Sequence, residues 1–172
     1  MSIISGVIQR PGNLAEEIGR RTPFERLDEE VFLNLLMTRE RVAMALAEVY
    51  RERGLSPPQY NVLRILMAQD TEGLPMQRIA ERMITRDSDM TRLVDALESQ
   101  RHVERRRDQQ DRRVTRVTLT ASGRRLMREL EQPVIDVYQE YFAHLGQAKL
   151  SLLNQLLFEV RHPKSGEPES DG

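Results

Sequence analysis

The stretch PMQRIAERMITRDSDMTRLVDALESQRHVERRRDQQDRRVTRVTL, residues 75–119, decides the fold because the spacing of its apolar residues changes within it. Its first half has helical spacing. Pro75 starts a short helix over about 76–83, and a longer helix runs from Thr85 or Arg86 to about Gln100, with Met90, Leu93, Val94 and Leu97 facing inward. A short helix, a tight turn and a longer helix form a helix-turn-helix.

The second half of this stretch has the pattern of β-strands. Residues 103–107 and 113–119 are rich in strand formers, and the second segment alternates Val or Leu with Thr or Arg. The polar, turn-forming segment 108–112 lies between them. We predict a two-stranded β-ribbon with a polar, basic tip, which makes this region a winged helix.

Long helices are predicted on both sides. One begins at Thr22-Pro23 and ends before Gly54, another is capped by Ser56, and a third runs from Thr120 to about Leu145 with a kink at Pro133. A final amphipathic helix precedes a tail rich in Pro, Ser, Gly and Glu. The fold class is therefore mainly α with a small β-ribbon, a winged helix-turn-helix flanked by long dimerisation helices. The predicted parts are an N-terminal extension (1–22), dimerisation helices (23–54 and 120–162), a winged helix-turn-helix region (55–119) and a disordered tail (163–172).

The apolar surface at the two ends of the chain predicts a homodimer. Terminal helices of this length offer more apolar surface than one winged helix can cover, and exposed patches of that size usually mark an interface. The residues expected at the dimer interface are Leu27, Val31, Leu152, Leu153, Leu156 and Leu157.

Charge is distributed unevenly along the chain. The whole chain has a net charge of −1, but residues 101–128 contain ten arginines against three acidic residues. Genome composition alone can favour arginine over lysine, but it does not explain such clustering. A run of like charges repels itself unless a polyanion offsets it, and guanidinium groups make bidentate contacts with phosphate and guanine. This pattern favours nucleic acid as a partner.

Composition excludes several other classes. The chain has no cysteine and only three, widely separated histidines, so we expect no metal site, no cofactor and no thiol chemistry. It has no glycine-rich phosphate loop and no nucleophile elbow, so we predict no catalytic residues and no enzyme. It contains no apolar run of about 18 residues and no basic residue ahead of its first apolar stretch, which predicts a cytoplasmic protein without a membrane partner.

Several motifs, in this order and spacing, resemble the MarR family of bacterial transcription regulators. They are LSPPQYNVL (55–63), IAERM (79–83), MTRLVDALE (90–98), VER (103–105), DRR (111–113) and VTLTASG (117–123). The resemblance covers about residues 28–162. It implies a dimer that binds double-stranded DNA at a near-palindromic operator, and a pocket between the dimerisation helices and the winged helix. Such pockets often take small aromatic or anionic effectors, but no ligand-binding residue is assigned from the sequence.

By this resemblance the helix over 86–100 is the recognition helix. Helical geometry leaves Ser88, Asp89, Thr91, Arg92 and Asp95 facing outward, and Arg86 lies near the N-terminus of the helix. The expected DNA contacts are Arg86, Ser88, Asp89, Thr91 and Arg92. A guanidinium can bind guanine O6 and N7 together, which makes Arg92 the best candidate for base recognition. Ser88, Thr91 and Arg86 suit phosphate contacts. An ordinary solvated helix face is the alternative.

The ribbon corresponds to the family's wing. Asp111, Arg112 and Arg113 match the wing motif, in which an Asp holds the loop and an Arg enters the minor groove. The sequence leaves open which arginine does so, and a solvated hairpin tip is the alternative. One departure concerns the end of the recognition helix, where the family commonly has a glycine in the left-handed conformation and this chain has Arg101, followed by His102.

Two functions remain after this reading. One is a dimeric, sequence-specific DNA-binding regulator, a repressor that a small-molecule effector releases from DNA. The other is a winged-helix module that docks its basic ribbon on an acidic protein. Steep salt dependence of binding to nonspecific duplex DNA would distinguish the first from the second.

Overall fold

A computed structural model describes residues 14–69, 72–84, 89–108, 111 and 114–163. The chain divides into two compact units, with the boundary after Met44. The predicted tail over 164–172 and the first 13 residues of the predicted extension lie outside the described residues.

The N-terminal unit contains the short helix α1 (Leu14–Glu17) and the larger part of α2 (Leu27–Arg51). In α1, Leu14 is buried, whereas Ile18, just after the helix, is 43% exposed. The predicted start of the next helix at Pro23 is wrong. Phe24 instead packs against the Arg20 guanidinium, which lies 4.3 Å from the ring centroid. The helix begins at Leu27, where three acidic residues in its first turn complement the helix dipole.

The C-terminal unit contains the winged helix and the helices that follow it. Its elements after the end of α2 are α3 (Pro57–Met67), β1 (Leu74–Pro75), α4 (Met76–Arg82), α5 (Met90–Ser99), β2 (Val103–Arg107), β3 (Thr115–Leu119), α6 (Ala121–Phe142), a 3-10 turn (Ala143–Leu145) and α7 (Gly146–Arg161). The predicted cap of α3 is confirmed. Ser56 and Gln59 form a reciprocal capping box, and Pro57 occupies the first helical position.

One apolar core joins α3, α4, α5, the sheet and α6. Its fully buried side chains include Val62, Leu63, Ile79, Val94, Leu97, Val103, Val117 and Leu130. Each such Val, Leu or Ile side chain contributes roughly 1.5–3 kcal/mol relative to exposure. Met67 of α3 and Tyr138, which lies further along the chain, are 36% and 44% exposed and do not belong to this core.

The wing has three antiparallel strands in the order β1-β3-β2, so the predicted two-stranded ribbon was incomplete. Val103 pairs with Leu119 in the long hairpin, and Leu74 pairs with Val117 on the other side of β3. β1 has only two residues, too few to produce a period in the sequence. Gly73 permits this close approach, because its φ is +71° and a Cβ there would lie 2.2 Å from the Val117 carbonyl oxygen.

Helix α6 begins at the predicted cap. The Thr120 hydroxyl accepts a hydrogen bond from the Gly123 N–H at 3.0 Å, and the buried face of the helix includes Leu126, Leu130, Val134 and Val137. Gly146, with φ +69°, separates the 3-10 turn from α7, which buries none of its residues within the chain. Among the described residues, no helix has the length and apolar character that crossing a membrane requires.

Candidate nucleic-acid interface

Helix α5, the predicted recognition helix, begins at Met90, later than the predicted start at Thr85 or Arg86. Asp89 is its N-cap, and its carboxylate accepts a hydrogen bond from the Arg92 N–H at 3.2 Å. An aspartate here satisfies one of the free N–H groups of the first turn and adds a favourable charge at the positive end of the helix. Asp89, predicted as a DNA contact, thus has a structural role in the free protein. The predicted contacts Arg86 and Ser88 lie outside the described residues.

The two faces of α5 are divided as the sequence predicts. Val94 and Leu97 are fully buried, and Met90 and Leu93 pack against the core from its edge. Thr91 and Arg92 are exposed in the first turn. Arg92, the candidate for base recognition, is therefore accessible and lies next to the capped N-terminus of α5.

The end of α5 is a Schellman motif closed by a residue other than glycine. The His102 N–H donates to the Leu97 carbonyl, and the Arg101 N–H donates to the Glu98 carbonyl, each at 2.9 Å. Arg101 has φ +61°, which makes it the one non-glycine residue with a positive φ in the described part of the chain. A side chain in the left-handed conformation costs about 1–2 kcal/mol. The left-handed closure expected from the family pattern is present, although an arginine provides it.

The end of α5 is joined to the start of α6 through close contacts of Thr120 and Gly123 with Arg101 and His102. The Thr120 hydroxyl oxygen lies 2.7 Å from the Arg101 carbonyl oxygen and 3.2 Å from that of His102. Gly123 packs so closely that a Cβ there would lie 2.1 Å from the His102 carbonyl oxygen. Burial lowers the pKa of His102, whose Nδ1 atom is enclosed without a hydrogen-bond partner among the described residues.

Arg105 of β2 links the wing to the recognition helix. Its guanidinium lies 2.6 Å from the Glu98 carboxylate and 2.6 Å from the Asp95 carboxylate. Its backbone N–H donates a further hydrogen bond to Glu98 at 3.1 Å, and Nη2 lies 3.4 Å from the Thr91 carbonyl oxygen. Burial opposes the charge of Arg105, but these two carboxylates outweigh burial and raise its pKa. We call Arg105, Asp95 and Glu98 the Arg105 cluster.

The wing loop is held by an aspartate that the sequence analysis did not select. Asp108 pairs with the Arg116 guanidinium, and its Oδ1 atom accepts a hydrogen bond from the Asp111 N–H at 3.0 Å. The side chain of Asp108 is only 10% exposed, whereas Asp111 is exposed. An Asp that opens a polar turn and binds a backbone N–H three residues later was the available signal. The predicted contacts Arg112 and Arg113 lie outside the described residues.

Two like charges face each other across the middle of the wing. Arg106 pairs in register with Arg116, an arrangement that destabilises an antiparallel pair on its own. Each has a compensating carboxylate, Glu104 for Arg106 and Asp108 for Arg116. Arg116 also donates to the Gly73 carbonyl oxygen at 3.2 Å, which connects the wing to the loop before β1.

Arginines without a carboxylate partner make the surface of the winged helix positively charged. Arg92, Arg101 and Arg107 are exposed and form no ion pair with another described residue. They belong to the recognition helix, its closing turn and the wing. Unpaired arginines on a winged helix favour a polyanionic ligand.

Comparison with known proteins agrees with this geometry. Residues 53–114 match the model of the MarR family. The solved structure of a MarR transcription factor from Planctomyces limnophilus is 35% identical, with a TM-score of 0.61, and the match covers 78% of this chain and 98% of that one. CouR from Rhodococcus jostii RHA1, solved with bound p-coumaroyl-CoA, is 26% identical, with a TM-score of 0.69 and coverage of 84% and 100%.

A curated relative extends the same pattern. The HTH-type transcriptional regulator TtmR of Methylorubrum extorquens (strain PA1) is 29% identical over 119 residues, which are 69% of this chain and 60% of TtmR. The chain thus spans about three fifths of the length of this relative. These matches confirm the resemblance and the fold class. The chain belongs to the MarR family of winged helix-turn-helix transcription regulators.

Proposed function

We propose that this chain is a sequence-specific DNA-binding regulator that reads its operator with α5 and the wing. The observation that carries the proposal is the pairing of an exposed Arg92, at the capped N-terminus of α5, with a wing attached to the same helix through Arg105. Helix-turn-helix proteins place the N-terminal residues of the recognition helix against base edges in the major groove. Arg92 suits guanine there, and Thr91 suits phosphate.

The other predicted contacts complete this proposal. Arg86 and Ser88 would contact phosphates ahead of α5, and Asp89 would stand near the bases while it caps the helix. Beyond β2, Asp111 would support the wing loop, and Arg112 or Arg113 would enter the minor groove, whose narrow A·T-rich form attracts arginine.

Salt dependence of DNA binding tests this function. The affinity of the full chain for a duplex of arbitrary sequence is measured at increasing salt concentration, because each neutralised phosphate contributes about −0.9 to the log–log slope. We expect a steep negative slope, together with enrichment of one near-palindromic site when the chain selects from a random duplex library. Absence of DNA binding at low salt, with binding to an acidic protein instead, would favour the protein-docking alternative.

The regulator is proposed to act as a homodimer in the cytoplasm. Leu152 and Leu156 of α7 are 55% and 48% exposed, and Leu153 and Leu157 of the same helix are half-buried. In the N-terminal unit, Leu27 and Val31 are 73% and 45% exposed. Apolar side chains exposed at this density support an interface with a second copy. Two recognition helices related by a two-fold axis would then enter successive major grooves about 34 Å apart.

Sedimentation tests the dimer. The full chain should sediment at twice its mass of 20.0 kDa, and Leu152→Asp with Leu156→Asp should shift it to the monomer. Asn154→Asp, an exposed change in the same helix, is the matched control and should leave the dimer intact. A wild-type monomer that binds the selected duplex with full affinity would contradict this part of the proposal.

We further propose that the protein is a repressor that a small aromatic or anionic effector releases from DNA. The ligand seen in CouR, p-coumaroyl-CoA, combines an aromatic acyl group with anionic phosphates and supports this chemical class. Linkage requires that DNA weaken effector binding as much as the effector weakens DNA binding, by about 1–3 kcal/mol. Calorimetric titration of p-coumaroyl-CoA and simpler aromatic acids into the free protein and into its DNA complex measures this coupling. Equal affinities in both titrations would indicate constitutive DNA binding.

A further inference from the structure

We propose that Arg105 is a positioning residue that determines specificity, because it holds the recognition helix and the wing in one relative orientation. The inference rests on the proposed DNA-binding function. Arg105 is not among the predicted DNA contacts, and its guanidinium binds carboxylates of the protein itself.

The register of the sheet explains why Arg105 needs partners. Arg105 lies opposite Val117, which is fully buried, and two residues along from Val103, which is 2% exposed. Because side chains on one face of a sheet repeat every second residue, Arg105 lies on the core-facing side of the wing. Its side chain is 24% exposed. A charge in such a place is stable only when carboxylates and hydrogen bonds compensate its lost hydration.

The compensating carboxylates all come from one element. Asp95 and Glu98 are three residues apart and therefore lie on the same side of α5, and the guanidinium reaches both. Glu98 also accepts a hydrogen bond from the Arg105 backbone N–H. Contacts to both the side chain and the backbone restrict rotation and sliding of β2 against α5 in a way that one ion pair between long side chains does not.

The same contacts neutralise the recognition helix. Asp95 is on the outward-facing side of α5 and is 57% exposed, so an uncompensated carboxylate there would repel phosphates. Arg105 offsets this charge from within the protein. Its loss would leave two carboxylates uncompensated and would remove the side-chain contacts between β2 and α5 at the same time.

A protein that contacts both grooves of DNA at once depends on the orientation of its wing relative to α5. Major-groove contacts from α5 and minor-groove contacts from the wing form together only when their separation matches the duplex. Nonspecific binding needs only phosphates and tolerates misalignment. Removal of the Arg105 cluster should therefore reduce discrimination between sequences more than it reduces general DNA affinity.

The test compares affinities for two duplexes, one enriched by selection with the wild-type chain and one with the same bases shuffled. We expect Glu98→Gln to lower the ratio of these affinities about tenfold, the equivalent of one base contact. The direction of the change distinguishes this role from a simple charge effect. By electrostatics alone, removing a negative charge near DNA would tighten binding to both duplexes. The control Glu131→Gln, on the exposed side of α6, should show no more than this general effect.

Arg105→Gln should give a similar loss, and the double variant should be no worse than the poorer single variant, because both changes break one contact. Arg105→Lys should recover part of the ratio, since an ammonium keeps the charge but not the forked geometry. The control Arg39→Gln, an equal loss of charge on α2, should leave the ratio unchanged.

The outcomes separate the two claims. If Glu98→Gln and Arg105→Gln alter binding to both duplexes by equal factors, or if their effects on the ratio multiply in the double variant, Arg105 does not position the wing, and the proposed DNA-binding function stands. If the variants only lower the thermal midpoint and the folded protein keeps its ratio, the role is merely structural and the inference is wrong. If the wild-type chain enriches no sequence and binds neither duplex, the proposed function fails and the inference fails with it.

Discussion

The Thr120 hydroxyl lies 2.7 Å from the carbonyl oxygen of Arg101, so the residue that caps α6 also binds the residue that closes the recognition helix. Arg101 and Thr120 are 19 residues apart in the chain, with both long wing strands between them. The wing therefore starts and ends at one fixed point. Its geometry relative to α5 depends on this point and on the Arg105 cluster.

Arg92→Ala is expected to weaken binding to the selected duplex by about 1–3 kcal/mol and to weaken nonspecific binding less, because one bidentate base contact is lost. Parallel titrations of a selected and a shuffled duplex measure both effects. Arg39→Ala is the charge-matched control outside the winged helix. Equal losses on both duplexes would make Arg92 a phosphate contact.

Replacing both Arg112 and Arg113 by Ala should make the salt slope of DNA binding shallower by about 1 to 2 units per wing, since each lost charge near a phosphate releases one counterion fewer. Thermal stability should hardly change, because charged residues in a polar turn contribute little to folding. Arg21→Ala with Arg39→Ala removes the same charge from exposed positions in the N-terminal unit and serves as the control. An unchanged slope in the wing variant would support the solvated hairpin alternative.

Arg101→Gly should stabilise the protein by about 1 kcal/mol, because glycine adopts the φ of +61° without the penalty that a Cβ adds. The thermal midpoint measures this gain. Gln100→Gly provides the contrast, since Gln100 has a helical conformation with φ −79°, and glycine there should destabilise. A lower midpoint for Arg101→Gly would show that the arginine side chain contributes more than its backbone conformation costs.

Gly123→Ala should destabilise the fold by about 1–3 kcal/mol, because the added methyl group would overlap the His102 carbonyl oxygen. Backbone forms this contact, so no flexible side chain can move aside. Ser122→Ala, an exposed change in the same helical turn, should alter the unfolding free energy by less than about 0.5 kcal/mol. Similar midpoints for the two variants in chemical denaturation would contradict the close packing.

His102 should make stability depend on pH. Burial lowers its folded-state pKa below the ordinary value of 6.5, so the unfolded chain binds more protons than the folded chain once the pH falls toward and below that value. Stability should therefore decrease on acidification, and the thermal midpoint of His102→Gln should decrease less steeply than that of the wild type. His144→Gln, an exposed control, should follow the wild type. Parallel pH profiles for all three proteins would refute this role.

Much of this fold could be predicted from local signals. The capping residues Ser56 and Thr120 and the apolar spacing of α5 each report on a few neighbouring residues, and the structure confirms them. Strand β3 is present as predicted, but its burial does not alternate, because Thr118 is buried between Val117 and Leu119. The start of α5 was predicted too early, because Thr85 and Asp89 are both acceptable caps and only the packed structure distinguishes them.

The contacts that define the site are mostly tertiary and had no local signal. A two-residue strand such as β1 is visible only through its partner in β3. The charge on Arg105 looked like one of many in a basic run, whereas its register opposite Val117 turns it toward α5. Asp108 and Asp111 likewise belong to the same polar turn in the sequence. They differ in burial, which only the structure reveals.

The two-residue strand β1 supports only the inner end of the wing. β1 pairs with β3 only at Arg116 and Val117, so Thr115 and Arg107, the next pair outward, have neighbours on one side only. The described part of the wing is therefore supported on both sides of β3 only at its base. We expect changes in the length of the tip to leave this three-stranded base and the core unaltered, because loops tolerate insertions and deletions. The tip of the wing can therefore be lengthened or shortened by engineering while α5 keeps its place in the apolar core.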